Sequence, residues 1–301
     1  MEGQNVNLLI TGAWQQAKDY IGEIQQQGHS VVFLQYEKDT LPCDYEWVEG
    51  VICNGLFLHH PIEKFKNLKY IQLTSAGFDR VSMEYVNSHD IVIYNARGVY
   101  SIPMAEFVVG GVLQLYKQAK FFNKNQTEHR WEKHRGLLEL FGKKVCIVGC
   151  GSVGTECAKR FRAFGCEVIG VNRTVRENQN YDKMQSLEAL ETELPDADIL
   201  ILALPLTEET KYLMNEKMLS LMKKGAVLVN IARGAVVEEN ALVRALEGRL
   251  DGAVLDVFEE EPIGENSPLW EMEHVILTPH NSFVGDGNAK RLADVIMKNL
   301  L

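Results

Sequence analysis

Apolar positions in the first third of the chain gather into short runs rich in β-branched and aliphatic residues: Val6 to Ile10, Val31 to Leu34, Gly50 to Cys53, Lys69 to Leu73 and Ile91 to Tyr94. Helix-length segments separate them. In Trp14 to Gln27 the residues Trp14, Ala17, Ile21 and Ile24 recur at helical spacing, and the pattern stops at Gly28. This alternation predicts a parallel open sheet with crossover helices. Met104 to Phe122 reads as one long helix, and the polar stretch through Arg135, which contains Trp131, reads as a bridge between two domains. A second β/α series follows, with strands expected at Lys144 to Val148, Val168 to Val171, Asp198 to Ala203, Ala226 to Ile231, Ala253 to Val257 and Val275 to Leu277. Six such strands suit a complete dinucleotide-binding domain. The chain shows no fixed-period repeat and no Gly-, Ser- or Pro-rich linker.

The 301 residues exceed what one hydrophobic core usually organises, which agrees with two domains. A formal charge of -10 supplies no general basic field for nucleic acid or anionic lipid, so neither partner is expected. The six cysteines form no Cys-x-x-Cys pair and have no histidine at zinc-ligand spacing, so no metal is expected and the thiols read as reduced and mostly buried. The opening MEGQNVNLLITGAW lacks a basic segment followed by a long apolar stretch, and the most apolar window, Ile102 to Tyr116, is broken by Pro103, Glu106 and Gln114. A cytoplasmic protein is the expectation, with no membrane partner.

Within the second series, KKVCIVGCGSVG ends an apolar strand in the loop Gly149, Cys150, Gly151, Ser152, Val153, Gly154, and a helix pattern starts directly after it. The first glycine permits a tight turn, the second lets backbone amides approach a pyrophosphate, and the third lets helix and strand pack closely. An ordinary strand-turn-helix connection could carry the same string. The preceding strand, the following helix and a second strand ending near Val171 favour the dinucleotide reading. At that second strand end an acidic residue would select NAD(H) by accepting from the ribose hydroxyls. Here Asn172, Arg173 and Thr174 follow one another, with Arg176 beyond, so a 2′-phosphate would meet cations rather than a repelling carboxylate. NADP(H) is therefore the expected preference, with NAD(H) still admissible.

Reduction of a 2-keto acid needs a cation for the carboxylate, a proton donor for the developing alkoxide, and a group that keeps the donor protonated. Arg233 follows the apolar strand AVLVNIA, Glu261 lies in LDVFEEEP, and His280 follows ILTP. Taken singly, these are an ordinary surface cation, part of a solvated acidic loop, and a structural histidine.

Together with SAGFD (Ser75 to Asp79), LPLTEET (Leu204 to Thr210), NIARGAVVEENALVRAL (Asn230 to Leu246), GAVLDVFEEEP (Gly252 to Pro262) and LTPHNS (Leu277 to Ser282), they make the chain resemble the D-isomer-specific 2-hydroxyacid dehydrogenases. That family includes glyoxylate/hydroxypyruvate reductases, D-lactate dehydrogenases and phosphoglycerate dehydrogenases. The resemblance implies an α/β protein of two doubly wound parallel-sheet domains. A Rossmann cofactor domain (residues 101–282) would be inserted into a flavodoxin-like substrate domain (residues 1–100 and 283–301), to which a last helix near Ala289 to Leu301 returns. It implies that Arg233 orients the substrate's carboxylate and carbonyl, and that His280 protonates the carbonyl oxygen. Glu261, the glutamate directly before proline, would hydrogen-bond His280 and favour its protonated form. The Ser75, Ala76 and Gly77 backbone would receive the carboxylate. Leu204, Pro205, Ile231, Ala232 and Asp256 would line the cofactor, the last three towards its nicotinamide end. The 104–122 helix and the arm after it resemble the family's dimerisation region, so a homodimer acting on a small 2-keto acid is expected.

The family's usual Ile-Gly-Gly after this histidine is Asn281-Ser282-Phe283 here. Leu56, Phe57 and Leu58 lie in a loop that the resemblance places near the substrate, and they favour an uncharged R-group. Two alternatives stand beside the reductase: a non-catalytic NAD(H)-binding protein like the corepressors that share this fold, and a phosphoglycerate dehydrogenase without a regulatory domain.

Overall fold

The computed structural model describes residues 5–300 and divides into two compact units. The first runs to Tyr100 and resumes at Gly285, and the second, Ser101–Val284, is inserted between those two parts. Met1 to Gln4 and Leu301, which the sequence reading assigned to the N-terminal segment and the last helix, lie outside the described residues.

The first unit is built from β1 (Asn7–Thr11), α1 (Ala17–Gln26), β2 (Ser30–Leu34), β3 (Gly50–Cys53), β4 (Tyr70–Leu73), α2 (Met83–Ser88) and β5 (Val92–Tyr94). Its strands are all parallel, in the order β2-β1-β3-β4-β5. That is the flavodoxin-like order, whose switch point lies between β1 and β3. Alternate residues of β1 feed opposite faces. Leu8 and Ile10 pack with Trp14, Ala17 and Ile24 and with Leu292 and Ile296 of the C-terminal helix, while Leu9 packs with Val51, Leu56, Phe65 and Ile71. Burial on both faces explains why these strands read as continuous apolar runs.

The second unit contains α3 (Ser101–Tyr116), α4 (Ala119–Thr127), β6 (Lys144–Val148), α5 (Ser152–Ala163), β7 (Glu167–Asn172), β8 (Lys183–Ser186), α6 (Leu190–Glu193), β9 (Ile199–Leu202), α7 (Glu216–Leu221), β10 (Val227–Asn230), α8 (Glu239–Leu246), β11 (Gly252–Leu255) and β12 (Val275–Leu277). The parallel sheet has the order β12-β11-β10-β9-β6-β7-β8. Counted within the unit this is the 3-2-1-4-5-6 Rossmann order with a seventh strand added at the β12 edge. Val145 and Ile147 join Phe161, Val168 and Ile201 on one face, and Cys146 and Val148 join Leu200, Leu228 and Leu242 on the other. The last helix, α9 (Asn288–Leu300), belongs to the first unit.

Two expectations need correction. Seven strands form the second sheet, not six: β8 has the polar sequence KMQS, and it is recognisable only by its parallel pairing with β7, where Ile169 faces Lys183. The single helix from 104 to 122 is two. Gln118 turns left-handed at φ 53, and its backbone N–H and side-chain amide both donate to the Leu115 carbonyl, which ends α3 and lets α4 start in a new direction. Among the described residues no helix is long and apolar enough to cross a membrane.

Candidate active site

The glycine loop joins β6 to α5 and is shaped by backbone contacts that exclude side chains. Gly149 sits at φ +97, and a Cβ there would lie 2.5 Å from the Ala203 carbonyl; a Cβ on Gly154 would lie 2.1 Å from the Gly149 oxygen. A Cβ on Gly151 would meet nothing within 4 Å, so this side of the loop is open. The three glycines therefore do different things: two allow tight packing, and one leaves room in front of the first N–H groups of α5, which have no acceptor within the helix. Ser152 and Val153 are half-buried within that first turn. Burial pushes the Cys150 thiol up to about 11, so an uncharged thiol fills the back of the loop against the Ile147 and Val171 carbonyls. The loop has the shape and donors for a dinucleotide pyrophosphate.

Past β7, the Asn172 amide donates to the Thr174 carbonyl at 3.0 Å and closes a turn on which Arg173, Thr174 and Arg176 are exposed. On the other side of β6, Leu204 and Pro205 follow β9. The buried Thr210 hydroxyl donates to the Pro205 carbonyl at 2.8 Å and accepts from the Thr207 N–H at 2.7 Å, which holds that loop in place.

Arg233, Glu261 and His280 follow β10, β11 and β12, three successive neighbours in the sheet. Buried Asn230, the last residue of β10, accepts from the Ala232 N–H and donates to the Arg233 carbonyl, both at 3.0 Å. This brace turns the chain at Ile231 and Ala232, both buried, and sets the half-buried Arg233 backbone. The following Gly234 passes so close to the next strand's loop that a Cβ would lie 1.8 Å from the Phe258 carbonyl. Only glycine fits there.

His280 Nδ1 is 2.9 Å from Glu261 Oε2, while Glu261 Oε1 accepts from the Phe258 N–H at 3.1 Å. The neighbouring Glu259 has a separate task. It accepts from the Glu239 N–H at the start of α8 and from the Tyr212 hydroxyl. Both members of the His280–Glu261 pair are more than a third exposed, so the contact adds little to stability and serves to orient the ring. His280 also holds a left-handed backbone, φ 51, which for a non-glycine residue costs about 1–3 kcal/mol and persists only where the surroundings enforce it. Asp256, expected at the nicotinamide end, is 1% exposed, and its carboxylate accepts from Thr278, Asn281 and Ser282 on the segment that carries His280.

Ser75 to Gly77 lie in the first unit, after β4. The Asn95 amide donates to the Ala76 carbonyl at 2.6 Å, the Ala96 N–H donates to the Ser75 carbonyl at 2.9 Å, and the Tyr100 hydroxyl donates to the Thr74 carbonyl. Glu37 gathers the loops after β1 and β3 by accepting from the Thr11 hydroxyl and from the Asn54 and Gly55 N–H groups. Glu37 is marked by no local pattern, because its partners lie 17 to 26 residues away; Asn95 accepts locally from the Arg97 N–H at 3.2 Å, but its bond to Ala76 spans 19 residues. The reading of Leu56 to Leu58 is only partly met. Leu56 is fully buried in the core and Phe57 packs edge-on against Phe65, which leaves Leu58, 63% exposed, as the one apolar side chain of the three open to a ligand.

Comparison with known proteins agrees with this architecture. The family model described as D-isomer specific 2-hydroxyacid dehydrogenase, NAD binding domain, matches residues 109–282. The chain is similar to the glyoxylate reductase of Pyrococcus horikoshii, with 34% identity over 252 residues that cover 79% of this chain and 75% of the relative. Among solved structures it is similar to a D-isomer specific 2-hydroxyacid dehydrogenase of Xanthobacter autotrophicus in complex with NADPH and MES (TM-score 0.81, 29% identity, 99% and 94% of the two chains covered). It is also similar to the D-lactate dehydrogenase of Aquifex aeolicus complexed with NAD and lactic acid (TM-score 0.79, 26% identity, 97% and 94% covered). The chain belongs to the D-isomer specific 2-hydroxyacid dehydrogenases, a family of oxidoreductases that act on 2-hydroxyacids, and its second unit is the nicotinamide cofactor's domain.

Proposed function

We propose that this protein reduces a small 2-keto acid, glyoxylate or hydroxypyruvate foremost, to the 2-hydroxy acid, with NADPH preferred to NADH. The observation that carries the reading is the His280–Glu261 pair at 2.9 Å, set at the strand end next to the one that carries Arg233. The bound cofactor supplies the hydride. His280 gives a proton from its second ring nitrogen, Nε2, to the carbonyl oxygen, while Glu261 holds the ring through Nδ1. Arg233 presents its planar guanidinium to the carboxylate. In the first unit the backbone of Ser75, Ala76 and Gly77 is the segment suited to receive a carboxylate.

In this reading residues 1–100 and 283–301 bind substrate and residues 101–282 bind cofactor. Gly149, Gly151, Ser152, Val153 and Gly154 cradle the pyrophosphate, Asn172, Arg173 and Thr174 receive the adenosine end, and Leu204, Pro205, Ile231 and Ala232 line the path to the nicotinamide. The neutral Asn172 and the exposed Arg173 and Arg176 support the NADP(H) preference. The exposed Leu58 favours a compact uncharged R-group over a phosphorylated one. The protein works in the cytoplasm as a homodimer. The activity of the glyoxylate reductase relative weighs for an enzyme over a non-catalytic NAD(H)-binding protein.

The test is a panel of glyoxylate, hydroxypyruvate, pyruvate, 3-phosphohydroxypyruvate and branched keto acids, each with NADPH and NADH at one fixed ionic strength. Turnover is expected to be highest with the two smallest unphosphorylated acids and NADPH. Arg173→Ala should cost about 1.5–3 kcal/mol in kcat/KM for NADPH, from loss of a charge-assisted hydrogen bond, and much less for NADH. No turnover with any acid would favour the binding-protein reading, and a wild type that prefers NADH would overturn the NADP(H) assignment alone.

A further inference from the structure

β4 and β5 are parallel neighbours, with Gln72 opposite Tyr94, so the segments that leave them, residues 74–77 and 95–100, run side by side. Four consecutive carbonyls of the first segment all find donors within the unit. The Tyr100 hydroxyl donates to the Thr74 carbonyl, the Ala96 N–H to Ser75 at 2.9 Å, Asn95 Nδ2 to Ala76 at 2.6 Å, and the Ser75 hydroxyl to Gly77 at 3.1 Å. On the β3 side the Thr74 N–H donates to the Cys53 carbonyl at 2.8 Å, but the next four N–H groups, Ser75 to Phe78, have no acceptor among the described residues. In a trans peptide a carbonyl and the N–H that follows it point in opposite directions, and the peptides of this stretch are trans. Each captured carbonyl therefore turns the next N–H away from its donor. The loop keeps donors alone on its free side, which is how a backbone makes a surface for an anion.

We infer that Asn95 and Tyr100 are positioning residues for substrate binding: their side chains hold back the Ala76 and Thr74 carbonyls, so that the Gly77 and Ser75 N–H groups stay aimed at the substrate's carboxylate. Neither side chain needs to touch the substrate to do this. The Asn95 amide fits only one way round, because Oδ1 accepts from the Arg97 N–H at 3.2 Å while Nδ2 serves Ala76. Tyr100 stays a donor, since burial raises its hydroxyl above the usual tyrosine value. Between them the Ala96 N–H is a backbone contact that no side-chain change removes, so the aim of the loop rests on one fixed bond and two that depend on residue type. The inference rests on the reading of the Ser75 to Gly77 backbone as the carboxylate's receiver.

Tyr100→Phe keeps the ring and removes one donor, and Asn95→Ala removes the other. Each should raise KM for glyoxylate and the inhibition constant of oxamate, an unreactive carboxylate analogue, by about 3- to 10-fold, the loss of one hydrogen bond, with the Kd for NADPH within about twofold. The fall in kcat should be smaller than the rise in KM. A role in stability alone would lower Tm and leave KM and the oxamate constant where they are. Amide NMR spectra of the 15N-labelled wild type with NADPH test the underlying reading separately: oxamate should shift the Ser75, Ala76 and Gly77 signals. If it does, and Tyr100→Phe and Asn95→Ala both inhibit with the wild-type constant, the inference falls and the carboxylate reading stands. Tyr100→Phe decides by itself if Asn95→Ala does not fold. A weakened NADPH Kd with an unchanged oxamate constant would also overturn the inference. No shift in the wild type, whether oxamate fails to bind or binds elsewhere, would overturn the carboxylate reading and the inference with it.

Discussion

Arg233 shows how a common residue type becomes a specific one through its backbone. Its carbonyl is tied to Asn230, its Nη1 donates to the Ala232 carbonyl at 2.8 Å, and the next residue can only be glycine. The guanidinium is thus presented by a turn with little freedom, which favours a planar two-pronged contact over a loose charge. Arg233→Lys keeps the charge and loses the fork. It should lower kcat/KM for keto acids by about 10- to 100-fold, the loss of a charge-assisted hydrogen bond, and leave NADPH affinity nearly unchanged. Steady-state kinetics beside fluorescence titration of the cofactor will read this, and an unchanged kcat/KM would assign the anchoring to the Ser75–Gly77 backbone.

Strand ends opposite the glycine loop are held by charge. Asp198 precedes β9 and accepts from the Lys144 N–H of β6 at 2.9 Å and from Lys223 Nζ at 2.8 Å, with Lys143 Nζ 3.9 Å away. Burial alone would raise its carboxyl, but the hydrogen bonds from Lys223 and the Lys144 backbone, together with the charges of Lys143 and Lys223, outweigh burial and hold it below the usual aspartate value. A depressed carboxyl contributes stability above its unfolded value and loses it as pH falls through the folded one. Asp198→Asn should therefore cost about 1–3 kcal/mol at pH 7. The gap in Tm between variant and wild type should close as the pH is taken down through the carboxylate range. A gap independent of pH would mean that the side chain acts by shape and not by charge.

For the whole molecule, the segment after α4 is the feature without an internal explanation. Trp131 is 98% exposed, and the arm around it and α4 enclose a hollow of about 860 Å³ lined by Phe122, Asn125, His129 and Leu137. Large exposed aromatics grouped in this way mark protein contacts. Light scattering should give twice the 34.0 kDa chain mass, and Trp131→Glu should shift the protein towards one copy at low concentration. A monomeric wild type would remove the dimer from the proposal.

Local pattern determined the alternation of β and α, the position of the glycine loop, and the placing of Arg233, Glu261 and His280 at strand ends. Both sheets are buried on two faces, so almost every strand announces itself as an apolar run, and a loop position where a Cβ would lie 2.5 Å from another backbone must be glycine. Pattern failed where a residue's state depends on a distant partner. Polar β8 is a strand because β7 offers it an edge, and the 104–122 helix breaks because Gln118 turns left-handed under α3. Leu56, legible only as apolar, points into the core. The sequence also shows an aspartate in LDVF and a histidine in LTPH. Only the tertiary structure joined them, because hydrogen bonds across 22 to 26 residues depend on two parallel strands ending side by side, and no spacing along the chain encodes that contact.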